Sequence, residues 1–198
     1  MVDLRALYTK HAAAFDELRT GSTMEQPYLE RVARTAEGAE RMLDLGCGSS
    51  EPIARFFIER GYAVTGFDFS RTMLGIARRR HPDMTWIAGD MRALALATAF
   101  DVLIAWDSFF HLSPEDQRGM FPIFRDHVRV GGALLFTSGT EEGGGDGGDL
   151  FGDTLYHGSL ATAEYAEQLD RHGFDVVDHR VSDPECGYHT IWTAKRTR

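Results

Sequence analysis

MLDLGCGSSEPIARFF, residues 42–57, decides the architecture. A short apolar run carrying one acid, Asp44, leads into Gly46 and Gly48, and Pro52 then opens a helical stretch that Gly61 ends. The reading predicts a strand over 42–45, a tight turn through the two glycines and a helix over 52–60. Such a turn presents backbone N–H groups at a helix N-terminus, where a ligand can approach closely.

Downstream, β-rich runs at 63–67, 85–87, 102–106 and 133–137 alternate with helical patterns. Ser70 is placed to cap a helix over 72–80, which His81-Pro82 closes. Another helix begins near Pro114, bends at Pro122 and stops before Gly131-Gly132. This alternation requires crossover connections and so predicts an α/β fold with a parallel sheet. The last third departs from it. A helix over 162–172 ends at Gly173, and FDVVDHRV and YHTIWTAK follow with too short a link for a crossover, so that pair must be antiparallel.

Before the first strand, Leu4, Leu7, Tyr8, His11, Phe15 and Leu18 recur at helical spacing, Gly21-Ser22 interrupts, and a second helix follows over 26–36. A segment of this kind either covers a ligand cleft or packs as an extra helix. With 198 residues, 43% of them hydrophobic, the chain suits one core and a single domain over 1–198. The formal net charge of −9 argues against nucleic acid as a partner, and Arg78, Arg79 and Arg80 fall where a helix end welcomes positive charge. Cys47 and Cys186 make no disulfide framework, which points to a reducing cytoplasm. No stretch reaches the roughly 20 apolar residues of a membrane span. Nothing in the pattern specifies an oligomeric state.

The ligand of the glycine turn can be narrowed. A dinucleotide turn has the spacing G-x-G-x-x-G, but the third position here is Glu51, whose carboxylate would face a pyrophosphate. A zwitterionic ligand without phosphate tolerates that acid. Asp44, Gly46 and Gly48 resemble the first motif of the class I S-adenosylmethionine-dependent methyltransferases, with Ser50 in place of the last glycine and free to cap the next helix. VTGFDFS is similar to that family's second strand, IAGDM to its third, FDVLIAWDSFFHL to its fourth with its loop, and GGALLFTS to its fifth. The resemblance covers about 41–195. It implies a Rossmann-like doubly wound sheet of seven strands, mostly parallel, in the order 3-2-1-4-5-7-6. It also implies S-adenosyl-L-methionine as cofactor, and the domain divides into a helical lid segment over 1–38 and a Rossmann-like core over 39–198. The implied cofactor residues are Asp44, Gly46, Cys47, Gly48, Asp68, Phe69, Asp90, Met91 and Trp106, with Asp68 on the ribose, Asp90 on the adenine amino group and Met91 on the ring.

The acceptor belongs beyond the strands' carboxyl ends. There the loop 107–111, the segment TLYHGSL and the first helix bring Tyr8, Phe15, Phe110, Tyr156 and His157, and these aromatics imply a small apolar or aromatic molecule methylated on oxygen or nitrogen. His111 is the candidate base for a hydroxyl acceptor, titrating near pH 6.5 if unperturbed, with Asp107 as the alternative. Cys47 has no base near it in sequence and is read as a backbone contact. The stretch 141–153, EEGGGDGGDLFGD, is read as a mobile loop, since calcium repeats of that composition work only in arrays. His111, His157, His189 and Asp183 lack the close spacing of metal ligands, so no metal is expected. Competing readings are a non-catalytic regulatory protein that binds S-adenosylmethionine and a nucleotide-dependent oxidoreductase.

Overall fold

The computed structural model describes residues 3–36 and 38–198. Among them the strands are β1 (Arg41–Leu45), β2 (Ala63–Asp68), β3 (Thr85–Ala88), β4 (Phe100–Ala105), β5 (Val128–Ser138), β6 (Gly143–Leu150), β7 (Asp153–Ser159), β8 (Phe174–Asp183) and β9 (His189–Arg196). Seven form one sheet in the order β3-β2-β1-β4-β5-β9-β8, while β6 and β7 pair only with each other. The first five run parallel, and β9 is antiparallel to both β5 and β8. The order is the one the family resemblance implies and the reversed final pair the one the short link requires, with the β6-β7 hairpin added outside the sheet.

Alternation along the strands explains the layers. Met42, Val64, Val102 and Leu135 meet α3 (Gln26–Thr35), α4 (Ile53–Ile58) and α5 (Arg71–Arg80) on one face. Leu43, Leu103, Leu134 and Phe136 meet α6 (Pro114–His127) and α7 (Thr162–Arg171) on the other. Because both faces are covered, β1 is buried from Met42 to Leu45, and each large side chain so buried contributes about 1.5–3 kcal/mol. Ser70 caps α5 as expected, its hydroxyl accepting from the Met73 N–H. Ser113 does the same for α6, which continues through Pro122.

Three local expectations change. Ser50 does not cap α4; it sits at φ 85°, its hydroxyl is buried without a hydrogen-bond partner, and Pro52 holds the cap position. The apolar stripe at the start of the chain is divided at His11 into α1 (Leu4–Lys10) and α2 (Ala12–Arg19). The stretch read as a mobile loop is strand β6 and the start of β7, because backbone pairing needs no side chains and the glycines make room for those of β7. A Cβ on Gly144 would lie 2.1 Å from the Tyr156 hydroxyl, and one on Gly147 would lie 2.6 Å from the His157 Cβ. No helix among the described residues is long and apolar enough to cross a membrane.

Candidate active site

The turn after β1 forms the floor of an inner cavity at the carboxyl ends of β1, β2 and β4. Gly46 and Gly48 are both left-handed, at φ 83° and 51°, and a Cβ on Gly46 would come within 2.2 Å of the Ser108 Cβ. Asp68 holds the turn's shape: one carboxylate oxygen accepts from the Gly48 N–H at 2.9 Å and the other from the Ser70 N–H at 2.7 Å. Burial raises the Asp68 pKa, with those two donors opposing it. Each oxygen keeps a lone pair for a ligand hydroxyl.

Asp44 is in a harsher setting. It is 2% exposed, its Oδ2 has no hydrogen-bond partner, and burial followed by the Asp68 charge pushes its pKa up to about 8. A buried orphan carboxylate oxygen is costly unless a cation or donor completes it. Glu51, at the third-glycine position, is also buried, with Arg55 at 2.9 Å and Arg80 at 3.7 Å. Arg80 further forks onto Asp16 and donates to the Ser49 carbonyl, so the arginine run at the end of α5 also ties α2 to the turn.

Of the residues expected to face a cofactor, Asp44, Gly46, Cys47, Gly48, Asp68, Phe69, Met91 and Trp106 all line this cavity. Asp90 does not; its carboxylate is held by the Arg92 guanidinium at 2.6 Å, outside the lining. Burial, then the Asp68 and Asp44 charges, raises the Cys47 thiol well above its ordinary pKa, so it is not a nucleophile at neutral pH. Tyr8 and Phe15, expected on the acceptor side, line the same inner cavity. Packed there by α1 and α2, they leave a void of about 60 Å³, well below the few hundred Å³ that a ligand of nucleoside size occupies. A ligand of that size can enter only if these helices move.

A second, outer cavity of about 850 Å³ lies between the β6-β7 hairpin and the loop joining β8 to β9. Two contacts form the wall between the cavities. Asp107, which lines the inner cavity, accepts from His189 Nε2 at 2.7 Å, and His111 lies 5.1 Å, centroid to centroid, from the His157 ring of the outer cavity. His189 Nδ1 also faces an acceptor, the Cys186 carbonyl at 2.6 Å, so both nitrogens donate and the ring is an imidazolium. Burial alone would lower its pKa, but Asp107 and that carbonyl raise it overall. Arg19 joins from α2, pairing with Glu25 at 2.6 Å and standing 3.9 Å from Asp107.

His111 has the opposite character. Its Nδ1 must donate to the Tyr156 carbonyl at 3.0 Å, which leaves Nε2 to accept from the Tyr8 hydroxyl at 2.9 Å. Burial pushes its pKa down to about 4, so the value near 6.5 expected for an unperturbed histidine does not apply. Burial, then the Asp107 and Asp68 charges, raises the Tyr8 pKa and keeps that hydroxyl protonated. Of the other expected acceptor residues, Phe110 and His157 line the outer cavity, while the Tyr156 ring lies across the glycines of β6. The remaining loop aromatics are engaged elsewhere: Phe109 is in the core and Phe151 stands over His11. Arg19 and His189 had no signal in the sequence, because they meet Asp107 only through the fold.

The hairpin and α1 are clasped together. Asp153 accepts from both Lys10 and His11 at 2.6 Å, and Phe151 packs 5.3 Å from the His11 ring.

Comparison with known proteins agrees with this geometry. Residues 42–132 match the family described as "Methyltransferase domain". A demethylmenaquinone methyltransferase from Renibacterium salmoninarum is 38% identical over 98 residues, 48% of this chain and 40% of that protein. A dTDP-3-amino-3,4,6-trideoxy-alpha-D-glucopyranose N,N-dimethyltransferase from Streptomyces venezuelae is 32% identical over 105 residues, 52% of this chain and 44% of that one. The chain thus spans less than half the length of these two relatives. Among solved structures, CalS10, an amino pentose methyltransferase from Micromonospora echinaspora with S-adenosylmethionine bound, superposes with a TM-score of 0.73 at 20% identity, covering 95% of this chain and 97% of its own. Residues 42–132 therefore match a methyltransferase-domain family, and the chain shares its fold with solved S-adenosylmethionine-dependent methyltransferases.

Proposed function

We propose that the protein transfers the methyl group of S-adenosylmethionine to an oxygen or nitrogen of a small molecule. The observation that carries this reading is the orphan Oδ2 of Asp44 beside the Gly46–Gly48 turn, in a cavity that also holds the Asp68 carboxylate. A pyrophosphate brings no partner for these carboxyls, whereas a ligand bearing an ammonium and a sulfonium suits them and favours the ionised Asp44. Asp44 would receive the ammonium, Asp68 the ribose hydroxyls through its free lone pairs, and Met91 and Phe69 the adenine face. When bound, the cofactor supplies an electrophilic methyl carbon.

The chain's own contribution is positioning and exclusion of water. Residues 1–38 act as the lid, in which Tyr8 and Phe15 withdraw from the turn for entry and close over the bound ligand. His111 stays neutral and, for a hydroxyl acceptor, offers Nε2 as base once the Tyr8 hydroxyl turns aside. Asp107 stands at the junction of the two cavities and fixes the His189 imidazolium there. Titration calorimetry with S-adenosylmethionine, S-adenosylhomocysteine and NAD tests the reading. Saturable heat from the first two alone is expected, and heat from NAD alone overturns it.

A further inference from the structure

Two features of the outer cavity define what enters it. Its lining combines bare glycine backbone from β6, hydroxyls such as Ser159 and Thr190, the rings of Phe110 and Tyr188, and the acids Glu141, Glu142 and Asp146; none of the lining residues is a lysine or arginine. Glu142 has Arg118 at 3.8 Å from outside the lining, and the His189 imidazolium is spent on Asp107. The net field therefore favours a cation over a neutral molecule or an anion, and the hydroxyls and bare backbone offer partners to a ligand that itself carries hydroxyls.

The second feature is His157. Of the three imidazoles at the wall, His111 and His189 are each hydrogen-bonded through both nitrogens, whereas His157 makes only ring contacts, with Phe110 at 4.6 Å and His111 at 5.1 Å. No described residue hydrogen-bonds its side chain. It lies against the glycines of β6, where a Cβ on Gly148 would come within 2.7 Å of its Cε1. The ring is thus seated at the wall with a nitrogen lone pair still available. Burial lowers its pKa, and the Asp107 charge opposes that only in part. The charged and titratable groups facing it are Asp107 and His111.

We infer that the methyl acceptor is an amine on a hydroxyl-bearing small molecule, entering the outer cavity as its ammonium, and that His157 takes the ammonium proton. This rests on the methyltransferase reading above. One N–H proton passes from the ammonium to the His157 imidazole, which becomes imidazolium. The nitrogen lone pair so released forms the new N–C bond to the methyl carbon while the C–S bond breaks, its electron pair staying on sulfur. The products are the methylated ammonium and S-adenosylhomocysteine, and the imidazolium returns its proton to water in the cavity. Charge and atoms balance without a further reactant. Glu141 and Glu142 draw the ammonium in and take no part in the bond changes.

The test uses protein saturated with S-adenosylhomocysteine and matched probes: D-glucosamine, D-glucose and D-glucuronate, then benzylamine, benzyl alcohol and benzoate. Binding is followed by NMR shifts of the histidine side chains, and turnover with S-adenosylmethionine by S-adenosylhomocysteine release. The amine of each set is expected to bind at least tenfold more tightly than its partners and to move the His157 resonances. The doubly substituted Glu141→Gln, Glu142→Gln protein is expected to lose several-fold affinity for the amines alone. With an amine that turns over, wild-type kcat/KM is flat between the His157 and substrate pKa values. His157→Gln, at unchanged affinity for S-adenosylhomocysteine, rises tenfold per pH unit toward the substrate pKa. Equal binding within a set, preference for the carboxylate, no saturable shift by either amine, or an unchanged pH profile in His157→Gln overturns the inference. Failure of the protein to hold S-adenosylhomocysteine at all overturns instead the cofactor reading on which it rests.

Discussion

Replacing Asp44 by asparagine should stabilise the fold and cripple the site at once. In the ligand-free protein burial, and then the Asp68 charge, push this carboxyl up to about 8 from its ordinary 3.8, so at pH 7 it is mostly protonated. The unfolded chain ionises it freely, so folding forfeits that ionisation. The sign follows: below the unfolded pKa the group costs nothing, the cost grows as pH rises, and it levels off above the folded pKa. At pH 7 the cost is at most about 4 kcal/mol, from ~1.4 kcal/mol per unit over the interval between the unfolded pKa and neutrality. An amide avoids the cost and keeps an acceptor for the Ala54 N–H that now supports the carboxylate. Asp44→Asn is therefore expected to raise stability at pH 7 by about 2–4 kcal/mol, or roughly 4–16 °C in Tm for a chain of this size. The difference from wild type should vanish near pH 4. Affinity moves the other way, since losing a charge-assisted bond to the ligand ammonium costs about 1.5–3 kcal/mol, roughly ten- to a hundredfold in Kd. Wild type should also release close to one proton per ligand bound at pH 7, read as a dependence of the calorimetric heat on the buffer's ionisation enthalpy. Its affinity should rise up to tenfold per pH unit until the carboxyl ionises or the ligand's α-amino group, near pH 7.8, loses its proton. A variant that is less stable than wild type, or one that binds equally well without a change in proton release, refutes the reasoning.

Other perturbations probe the rest of the site. Asp68→Asn keeps one acceptor for the turn but weakens the ribose contacts, and calorimetry should show a loss of about 1–3 kcal/mol in cofactor affinity. Gly48→Val forces a branched residue into φ 51°, so it should reduce cofactor binding by calorimetry more than Gly48→Asn does. Asp153→Ala opens the clasp to Lys10 and His11, and stopped-flow association and hydrogen exchange of α1 and the hairpin should both quicken, roughly twofold to fivefold. With the His111 pKa at about 4, the wild-type rate should show no inflection from this group near pH 6.5. His111→Ala should cost roughly 10²–10⁴ in turnover with a hydroxyl acceptor and under tenfold with an amine.

The parts of this structure that the sequence discloses are those whose signals are local. Short apolar runs separated by helical periods give a parallel sheet with a reversed final pair, because a parallel pair demands a crossover and the β8-β9 link is too short to hold one, whereas the strand order comes from the family resemblance. Gly46, Gly48 and Asp68 are legible because each stands at a fixed offset within one strand-turn-helix-strand unit, the glycines after β1 and Asp68 at the end of β2. The β6 strand is not, since a run of glycines has no hydrophobic period, and its pairing is dictated by the rings of Tyr156 and His157 that need the space. Asp90 carries the right offset, but Arg92, two residues on, claims its carboxylate. Likewise, Arg19, Asp107 and His189 come from distant parts of the chain, and only their assembly reveals that His189 is charged while His111 is neutral.

The measurement that bears most directly on the central claim is a crystal structure of the protein with S-adenosylhomocysteine. The account predicts the ligand's ammonium on the Asp44 carboxylate, its ribose hydroxyls on Asp68, α1 and α2 displaced enough to admit it, and its sulfur facing the wall of Asp107 and His111. A ligand bound elsewhere, or one seated in the inner cavity with its ammonium turned away from Asp44 and no contact to Asp68, would contradict it.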